Sequence, residues 1–177
     1  MLRLEMATDP KWVKHIVEGN IEEILTDHAY CEQKAASTAI SLIVQYPEHA
    51  ELVEKMADLA QEEMGHFKMV FRLIQQRGYS LGRERKDSYV NELAKFLKVK
   101  GKGREETLAD KLLFAAMIEA RSCERFSVLS ENIDDTMFLQ LARTLCPNVD
   151  VEGRWRDFLT YEAKVIQNYG KTERIHG

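Results

Sequence analysis

Three glutamates and one histidine have the residue types and the spacing to hold a metal ion. Glu63 and His66 are three residues apart, so in a helix they lie on one face. Glu32 and Glu119 each interrupt a separate apolar stripe of helical period. A buried carboxylate without a partner costs on the order of several kcal/mol. A bound cation removes that cost, so the pattern predicts a metal site.

The position of the predicted turn places Glu32 beside Glu63. The midpoint between these two residues falls between Pro47 and Glu48. In an antiparallel helix pair, residues equidistant from the turn lie side by side. A Glu-x-x-His on one helix with a lone glutamate on its partner is half of the carboxylate site that holds two metal ions in four-helix bundles. Oxygen ligands together with imidazole suit iron or manganese better than zinc.

Each of these residues taken singly has a simpler interpretation. A lone Glu-x-x-His arises by chance in many helices. Glu32 by itself fits a solvated or hydrogen-bonded carboxylate equally well, and His66 by itself fits a packed core histidine. The common height of Glu32 and Glu63 and the recurrence of the pattern in three stripes favour the metal site. We expect His28, one turn before Glu32, to support the site and not to bind the metal.

The elements that position these residues are predicted to be long helices. Nine glycines and three prolines in 177 residues leave little material for turns, which favours a few long helices over many strands. Asp9 before Pro10 is typical of a helix start, and Gly78 and Pro147 of helix stops. The predicted helices cover 10–45, 47–77, 107–132, 134–145 and 151–168, with a short helix at 88–98.

Three of these helices carry the apolar stripes. The resulting prediction is one all-α domain, residues 1–177, built as a helical bundle. The stripes are Ile21, Ile24, His28, Glu32, Ala35, Ala39 and Leu42; Leu52, Met56, Leu59, Glu63, His66, Val70 and Leu73; and Leu108, Leu112, Ala115, Glu119, Ser122, Phe126 and Leu129.

Composition predicts a cytoplasmic protein. The net charge of -4 excludes a chain that is basic throughout. The three cysteines, Cys31, Cys123 and Cys146, are odd in number and form no CxxC motif, which is typical of reduced thiols packed as small apolar groups. No apolar run approaches the ~20 residues of a membrane span, and the first residues show no signal-peptide pattern. We therefore expect no association with a membrane.

Four linked motifs resemble one known family. They are DHAYCEQKAAS (27–37), LAQEEMGHF (59–67), LGRERKDSYV (81–90) and IEARSCERF (118–126), and the C-terminal stretch from DVEGRW to YEAKVIQNYGKTERIHG is similar as well. They resemble the MiaE family, tRNA hydroxylases that act on 2-methylthio-isopentenyl-adenosine. The resemblance implies a ferritin-like antiparallel four-helix bundle with an additional C-terminal helix.

The resemblance also implies an activity. It implies a di-iron monooxygenase that uses O2 to hydroxylate the isopentenyl group of a modified adenosine in tRNA. Two non-haem iron ions would be the cofactor, and Glu32, Glu63, His66 and Glu119 match metal-ligand positions that act in catalysis through the metal. The partners would be tRNA and an external reductase, because the chain shows no flavin or nucleotide motif. The oligomeric state stays open.

The sequence departs from the family in its fourth helix. The family's second Glu-x-x-His is absent, and the positions that mirror Glu119 read Leu145, Cys146, Pro147 and Asn148. With a rise of ~1.5 Å per residue and helices of matched length, about 17 residues are missing near Asp135–Thr136, so the fourth helix is truncated. Three explanations stay open. The segment is omitted from the sequence as read, a deletion leaves the site incomplete, or ligands come from elsewhere, such as Asp134, Asp135, Glu162 or a partner chain.

A basic segment bears on the choice of function. Residues 83–104 hold eight basic and three acidic residues, so the loop is either a phosphate contact or a solvated loop. The main prediction is the tRNA hydroxylase. The alternatives are an iron-binding or ferroxidase protein of the ferritin and rubrerythrin type, or a catalytically incomplete remnant of the hydroxylase fold.

Overall fold

A computed structural model describes residues 4–7, 21–98, 103–127 and 137–169. All regular structure within these ranges is helical, which confirms the all-α prediction. No described helix combines the length and the apolar character needed to cross a membrane. The chain groups into two compact units, which we describe separately: the hairpin unit, residues 14–86, and the helical unit, residues 1–13 with 87–177. The single-domain organisation stays a prediction.

Two long antiparallel helices form the hairpin unit. Helix α1 spans Ile21–Gln45 and helix α2 spans Ala50–Gln76. The prediction that the second helix begins at residue 47 is wrong by three residues. Pro47 and Glu48 instead form the turn, which the backbone N–H of His49 closes by donating to the carbonyl of Tyr46 at 3.2 Å. Residues 10–20 of the first predicted helix lie outside the described residues.

Small residues on α1 let α2 approach closely. Ala29, Ala36 and Ala39 are almost fully buried on α1, and α2 buries larger apolar side chains toward them. Two predicted stripe positions are wrong: Ile21 of α1 and Leu73 of α2 are exposed, and Ile74 is fully buried in place of Leu73. Ile74 lies four residues after Val70 and shares its buried face, where both pack in one cluster with Ala29.

Helix α2 ends as the sequence indicates. Gly78 has a φ of +75°, a left-handed conformation that is strained for residues with a Cβ. The backbone N–H of Tyr79 then donates to the carbonyl of Ile74 at 3.1 Å, which completes the C-terminal cap. The chain leaves the helix in a reversed direction as a result.

Residues 80–86, which we name the strap, run back along α1. The backbone N–H of Gly82 donates to Thr26 Oγ1 at 3.3 Å, and Tyr30 Oη donates to the carbonyl of Gly82 at 3.0 Å. Arg85 Nε donates to Asp27 Oδ1 at 3.0 Å, and a second guanidinium nitrogen of Arg85 contacts the other oxygen of that carboxylate. The strap therefore holds the N-terminal half of α1, the helix that carries Glu32.

The helical unit contains four helices among its described residues. Helix α3 spans Ser88–Leu93 and continues as a 3₁₀ turn, Ala94–Lys98, which matches the short helix predicted at 88–98. Asp87 caps α3 by accepting from the backbone N–H of Val90 at 3.1 Å. The remaining helices are α4 at Arg104–Ser127, α5 at Met137–Leu145 and α6 at Val151–Tyr169.

The start of α4 differs from the prediction. We expected Thr107 to open this helix, but Gly103 precedes its first turn and Glu106 Oε2 accepts from the Gly103 backbone N–H at 2.9 Å. A glutamate three residues into the helix that bonds back to the capping residue is one half of a capping box. The short α5 corresponds to the truncated fourth helix.

Apolar and charged contacts hold the helical unit together. Phe96 of the 3₁₀ turn packs on Phe158 of α6, with ring centroids 4.1 Å apart. Arg154 of α6 pairs with two acids of α4, Asp110 at 2.7 Å and Glu106 at 3.2 Å. The orientation of α4 relative to α6 is thereby set within this unit.

Candidate metal centre

The hairpin unit brings three of the four predicted ligands together. Glu32 of α1 and Glu63 and His66 of α2 each offer one ligand atom, and these atoms all lie within 4.8 Å of one another. The side chains of Glu63 and Glu32 are 11% and 16% exposed, whereas that of His66 is 42% exposed. The cluster is therefore a largely buried pair of carboxylates with an imidazole at its solvent side.

The imidazole of His66 presents a defined nitrogen to the carboxylates. Its Nδ1 lies 3.4 Å from Glu63 Oε2 and 3.9 Å from Glu32 Oε2. Its Nε2 lies 3.9 Å from Glu62 Oε1, on the preceding turn of α2. A carboxylate on the outer nitrogen of a ligating histidine favours the tautomer with its free electron pair on the inner nitrogen. Nδ1 is therefore the candidate ligand atom.

His28 is placed to support Glu32. Its Nδ1 lies 3.2 Å from Glu32 Oε1, one turn earlier on α1. Burial and, to a smaller extent, charge repulsion from His66 together lower the pKa of His28 to about 4, while Glu63 opposes the shift. A neutral imidazole at neutral pH adds no positive charge beside a cation site. This geometry fits the supporting role predicted for His28.

The donor set fits iron. Two carboxylates and an imidazole are hard and borderline ligands that suit iron or manganese. Both carboxylates closely contact the imidazole of His66. An imidazole binds a metal ion through a deprotonated ring nitrogen. Across the described ranges, Glu32, Glu63 and His66 are the one group of three such residues whose ligand atoms converge in this way.

The fourth predicted ligand belongs to the helical unit. Glu119 is half-buried on α4 and is not a member of the three-residue group. At 100° per residue it lies about 200° around α4 from Arg121, whose side chain points to α6. Glu119 is therefore on the opposite side of α4 from that contact. Its role as a ligand stays a prediction.

The actual role of Glu162, another buried carboxylate, was not predicted from the sequence. Glu162 of α6 is fully buried, and its Oε1 accepts from Tyr89 Oη at 2.8 Å, Arg121 Nε at 2.9 Å and Arg121 Nη2 at 2.7 Å. Its Oε2 has no hydrogen-bond partner within the described ranges. Burial raises the pKa of Tyr89, and the charge of Glu162 raises it further.

The signal for a buried acid at Glu162 was present in the sequence. Glu162 interrupts the apolar stripe of α6 between Phe158 and Ile166, as Glu63 interrupts that of α2. The predicted stripe of α4 contains no lysine or arginine. The basic partner of Glu162 is Arg121, which is fully buried on another face of α4. Because Arg121 neutralises Glu162, this carboxylate does not need a metal ion. Asp134 and Asp135 lie outside the described residues.

The predicted basic segment is less available than its composition indicates. Hydrogen bonds to Asp27 raise the pKa of Arg85, which also contacts Glu23, and Lys95 pairs with Glu92. Residues 99–102 of the predicted loop lie outside the described residues. Arg85 and Lys95 are thus already bound to acids of this chain.

Comparisons with known proteins identify the family of this chain. The family model described as tRNA-(MS[2]IO[6]A)-hydroxylase (MiaE) matches residues 2–138. The chain belongs to the MiaE family. A tRNA 2-(methylsulfanyl)-N(6)-isopentenyladenosine(37) hydroxylase of Pseudomonas putida is 38% identical over 134 residues, which cover 76% of this chain and 63% of that protein. The resemblance inferred from the four motifs is confirmed.

A second relative bears on the length of the chain. A MiaE-family hydroxylase of the same name from Salmonella typhimurium is 26% identical over 237 positions, covering 98% of this chain and 87% of that protein. That alignment is longer than the 177-residue chain, so the relative carries residues without a counterpart here. The match to the Pseudomonas relative likewise spans less than two thirds of that protein.

A solved structure covers the whole chain. It is named protein 43 with aldehyde deformylating oxygenase activity from Synechococcus, and it is similar with a TM-score of 0.79 and 27% identity, over 100% of this chain and 96% of that one. This likeness confirms the ferritin-like helical fold predicted from the sequence.

Proposed function

We propose that this MiaE-family chain is an O2-dependent, non-haem di-iron monooxygenase that hydroxylates the isopentenyl group of a modified adenosine in tRNA. The convergence of Glu32, Glu63 and His66 in the hairpin unit supports this proposal, because it provides an iron-binding donor set in a chain of this family. A cytoplasmic location, where tRNA is modified, goes with this function.

The overall reaction needs electrons from outside the chain. One oxygen atom of O2 enters the carbon–hydrogen bond to give the alcohol, and the other leaves as water with two electrons and two protons. The iron, when bound, supplies the activation of O2. The electrons come from a separate reductase.

The residues of this chain hold and orient the metal in this proposal. Glu32 and Glu63 supply negative charge on two facing helices, and His66 supplies Nδ1. Glu62 lies 3.9 Å from the outer nitrogen of His66, and His28 Nδ1 lies 3.2 Å from the Glu32 carboxylate, so both stand beside the ligands without binding the metal in this proposal. Glu119 is the proposed additional ligand from α4. The half-exposed side of His66 leaves an open approach for O2 and substrate.

Nucleoside analysis of tRNA tests the proposal. Cells that lack the gene should lose the hydroxylated isopentenyl nucleoside and accumulate its unhydroxylated precursor. The wild-type gene should restore the product, and a Glu63→Ala gene should not. Persistence of the hydroxylated nucleoside in the deletion strain would refute the proposed activity.

A second candidate function follows from the solved relative. Its name assigns it aldehyde deformylating oxygenase activity, and the likeness extends over the whole of this chain. An assay of the iron-loaded protein with a fatty aldehyde, O2 and a chemical reductant distinguishes the two. Formate and alkane without any change in tRNA nucleosides would favour this second function.

A further inference from the structure

Charge along α2 and the strap changes sign next to the candidate metal centre. Residues 48–63 contain six acidic residues and one basic residue, Lys55. Residues 64–83 contain four basic residues and no acidic residue. The change falls between Glu63 and His66. We name the four basic residues the basic end: Lys68, Arg72, Arg77 and Arg83.

The basic end is exposed and its charges are not neutralised within the described part of the chain. All four side chains are exposed to solvent. None of them lies within 4.0 Å of a carboxylate of a described residue, in contrast to Arg85 of the strap. Lys68 and Arg72 are four residues apart and project from the same face of α2.

The neighbouring acids of the hairpin unit are already engaged. Glu84 pairs with Lys34 at 2.9 Å, and Asp27 binds Arg85. Glu23 also contacts Arg85, and Glu22 accepts from the backbone N–H of Ser80 at 3.4 Å. These carboxylates therefore contact groups other than the four side chains of the basic end.

The strap returns Arg83 to the level of Lys68. Gly82, the preceding residue, is hydrogen-bonded to Thr26 of α1. Thr26 and Met69 are equidistant from the Pro47–Glu48 turn, so they lie at the same height in the antiparallel pair. Leu81 and Phe67 of α2 both pack against the cluster of Ala29, Val70 and Ile74. Arg83 therefore lies beside the helices and not beyond their end.

We infer that the basic end binds the phosphate backbone of the tRNA substrate. The inference rests on the proposed function, and it places the nucleic-acid contact on α2 and on Arg83 of the strap, and not along residues 84–104. Exposed, unneutralised lysine and arginine side chains release counterions when they contact phosphates. Because this surface begins two residues after His66, tRNA bound here places its modified base close to the candidate metal centre.

Single charge reversals test the inference. Lys68→Glu and Arg72→Glu are compared with Lys55→Glu, an identical charge change on the acidic half of the same helix. Binding of fluorescein-labelled tRNA to the full chain is measured by anisotropy at several salt concentrations. Lys68→Glu and Arg72→Glu should each weaken binding roughly three- to tenfold and reduce the salt slope by about one, while Lys55→Glu should leave both unchanged.

Two outcomes overturn the inference: equal effects of all three reversals, or no effect of Lys68→Glu and Arg72→Glu. Circular dichroism checks the fold, and Arg72→Gln replaces any reversal that unfolds. The proposed function is assessed separately, by nucleoside analysis of the deletion strain. Loss of tRNA binding in the two variants with unchanged nucleosides in that strain would refute the hydroxylase and keep the tRNA surface.

Discussion

At the scale of single residues, the candidate site depends on which atoms face each other. His66 turns Nδ1 toward Glu32 and Glu63 and Nε2 toward Glu62. Spacing alone places these residues on one face, but the rotamer of the imidazole determines which nitrogen can bind a metal. The same scale explains why Glu62, adjacent in sequence to Glu63, is an outer contact and not a member of the convergent group.

Removal of a ligand side chain should remove iron without unfolding the helices. Glu63→Ala and His66→Ala are expected to lose most of the bound iron, because each deletes one of three converging donors. Elemental analysis and circular dichroism measure the two effects. Glu54→Ala, an exposed glutamate of the same helix, is the control and should keep its iron. Full iron content in both site variants would contradict the ligand assignment.

The thiol of Cys146 should be nearly unreactive in the folded protein. Burial and, to a smaller extent, the charge of Glu105 together raise its pKa from 9.0 to about 11. At pH 8 this lowers the thiolate fraction about 100-fold. A Cys31→Ser, Cys123→Ser double variant leaves one thiol, whose alkylation by iodoacetamide is compared in buffer and in urea. Similar rates in both would show that the thiol is accessible.

The same pKa shift predicts a pH dependence of stability. A group with a raised pKa in the folded state holds its proton to higher pH than in the unfolded chain. Its contribution is therefore complete below pH 9 and is lost as the pH rises toward about 11. Urea unfolding at pH 8 and pH 10.5 should show a smaller loss of unfolding free energy in Cys146→Ala than in the wild type.

At the scale of elements, two carboxylates that interrupt apolar stripes have different partners. Glu63 of α2 faces another carboxylate and an imidazole, whereas Glu162 of α6 faces the guanidinium of Arg121. The stripe pattern predicts a buried acid correctly in both helices. It does not identify the counter-charge, because the partner comes from another helix or from a bound ion.

The buried ion pair should be a major contribution to the stability of the helical unit. Glu162→Gln removes the buried counter-charge of Arg121, leaves it only the more exposed Glu124, and should lower the free energy of unfolding by about 3 kcal/mol. Tyr89→Phe removes one hydrogen bond to the same carboxylate and should cost about 1–3 kcal/mol. Urea titrations followed by circular dichroism measure both. Equal, small losses would show that the pair contributes little.

The strap should stabilise the helix that carries Glu32. Asp27→Asn keeps the shape of the side chain but weakens its two contacts with Arg85, so we expect a loss of about 1–2 kcal/mol. Glu23→Gln changes the more exposed partner of Arg85 and should have a smaller effect. The hydrogen-exchange rate of the α1 amides should increase in Asp27→Asn. An unchanged rate would show that the strap does not stabilise α1.

At the scale of the whole molecule, the chain matches less than two thirds of the length of its Pseudomonas relative. The alignment with the Salmonella relative is longer than the chain itself, and α5 has only nine residues. The solved relative nevertheless matches the whole chain with a TM-score of 0.79. The ferritin-like arrangement is thus retained in a chain whose fourth helix lacks the Glu-x-x-His expected from the family resemblance.

Iron stoichiometry tests whether this short chain holds a complete centre. The proposed di-iron site requires about two iron ions per chain, with Glu119 and further groups adding to the three residues of the hairpin unit. Anaerobic loading with ferrous iron followed by gel filtration and elemental analysis gives the ratio. A ratio near one would show that only the Glu32–Glu63–His66 half-site binds iron.

The sequence alone determined the helical class, the family and the pairing of Glu32 with Glu63. These features are local: helix periodicity, the Pro47–Glu48 turn and the linked motifs each depend on residues close together in the chain. The antiparallel register of a hairpin follows from its turn, which is why the two carboxylates could be paired by counting.

Only the tertiary structure decided which charges neutralise each other. Arg121 and Glu162 are 41 residues apart, and Arg85 and Asp27 are 58 apart, so no local pattern pairs them. Their contacts depend on how α6 packs on α4 and how the strap folds back on α1. The physical reason is that the pairing of a buried charge depends on the distance between the two groups in the folded protein. Sequence spacing reports that distance only within a helix or across a short turn.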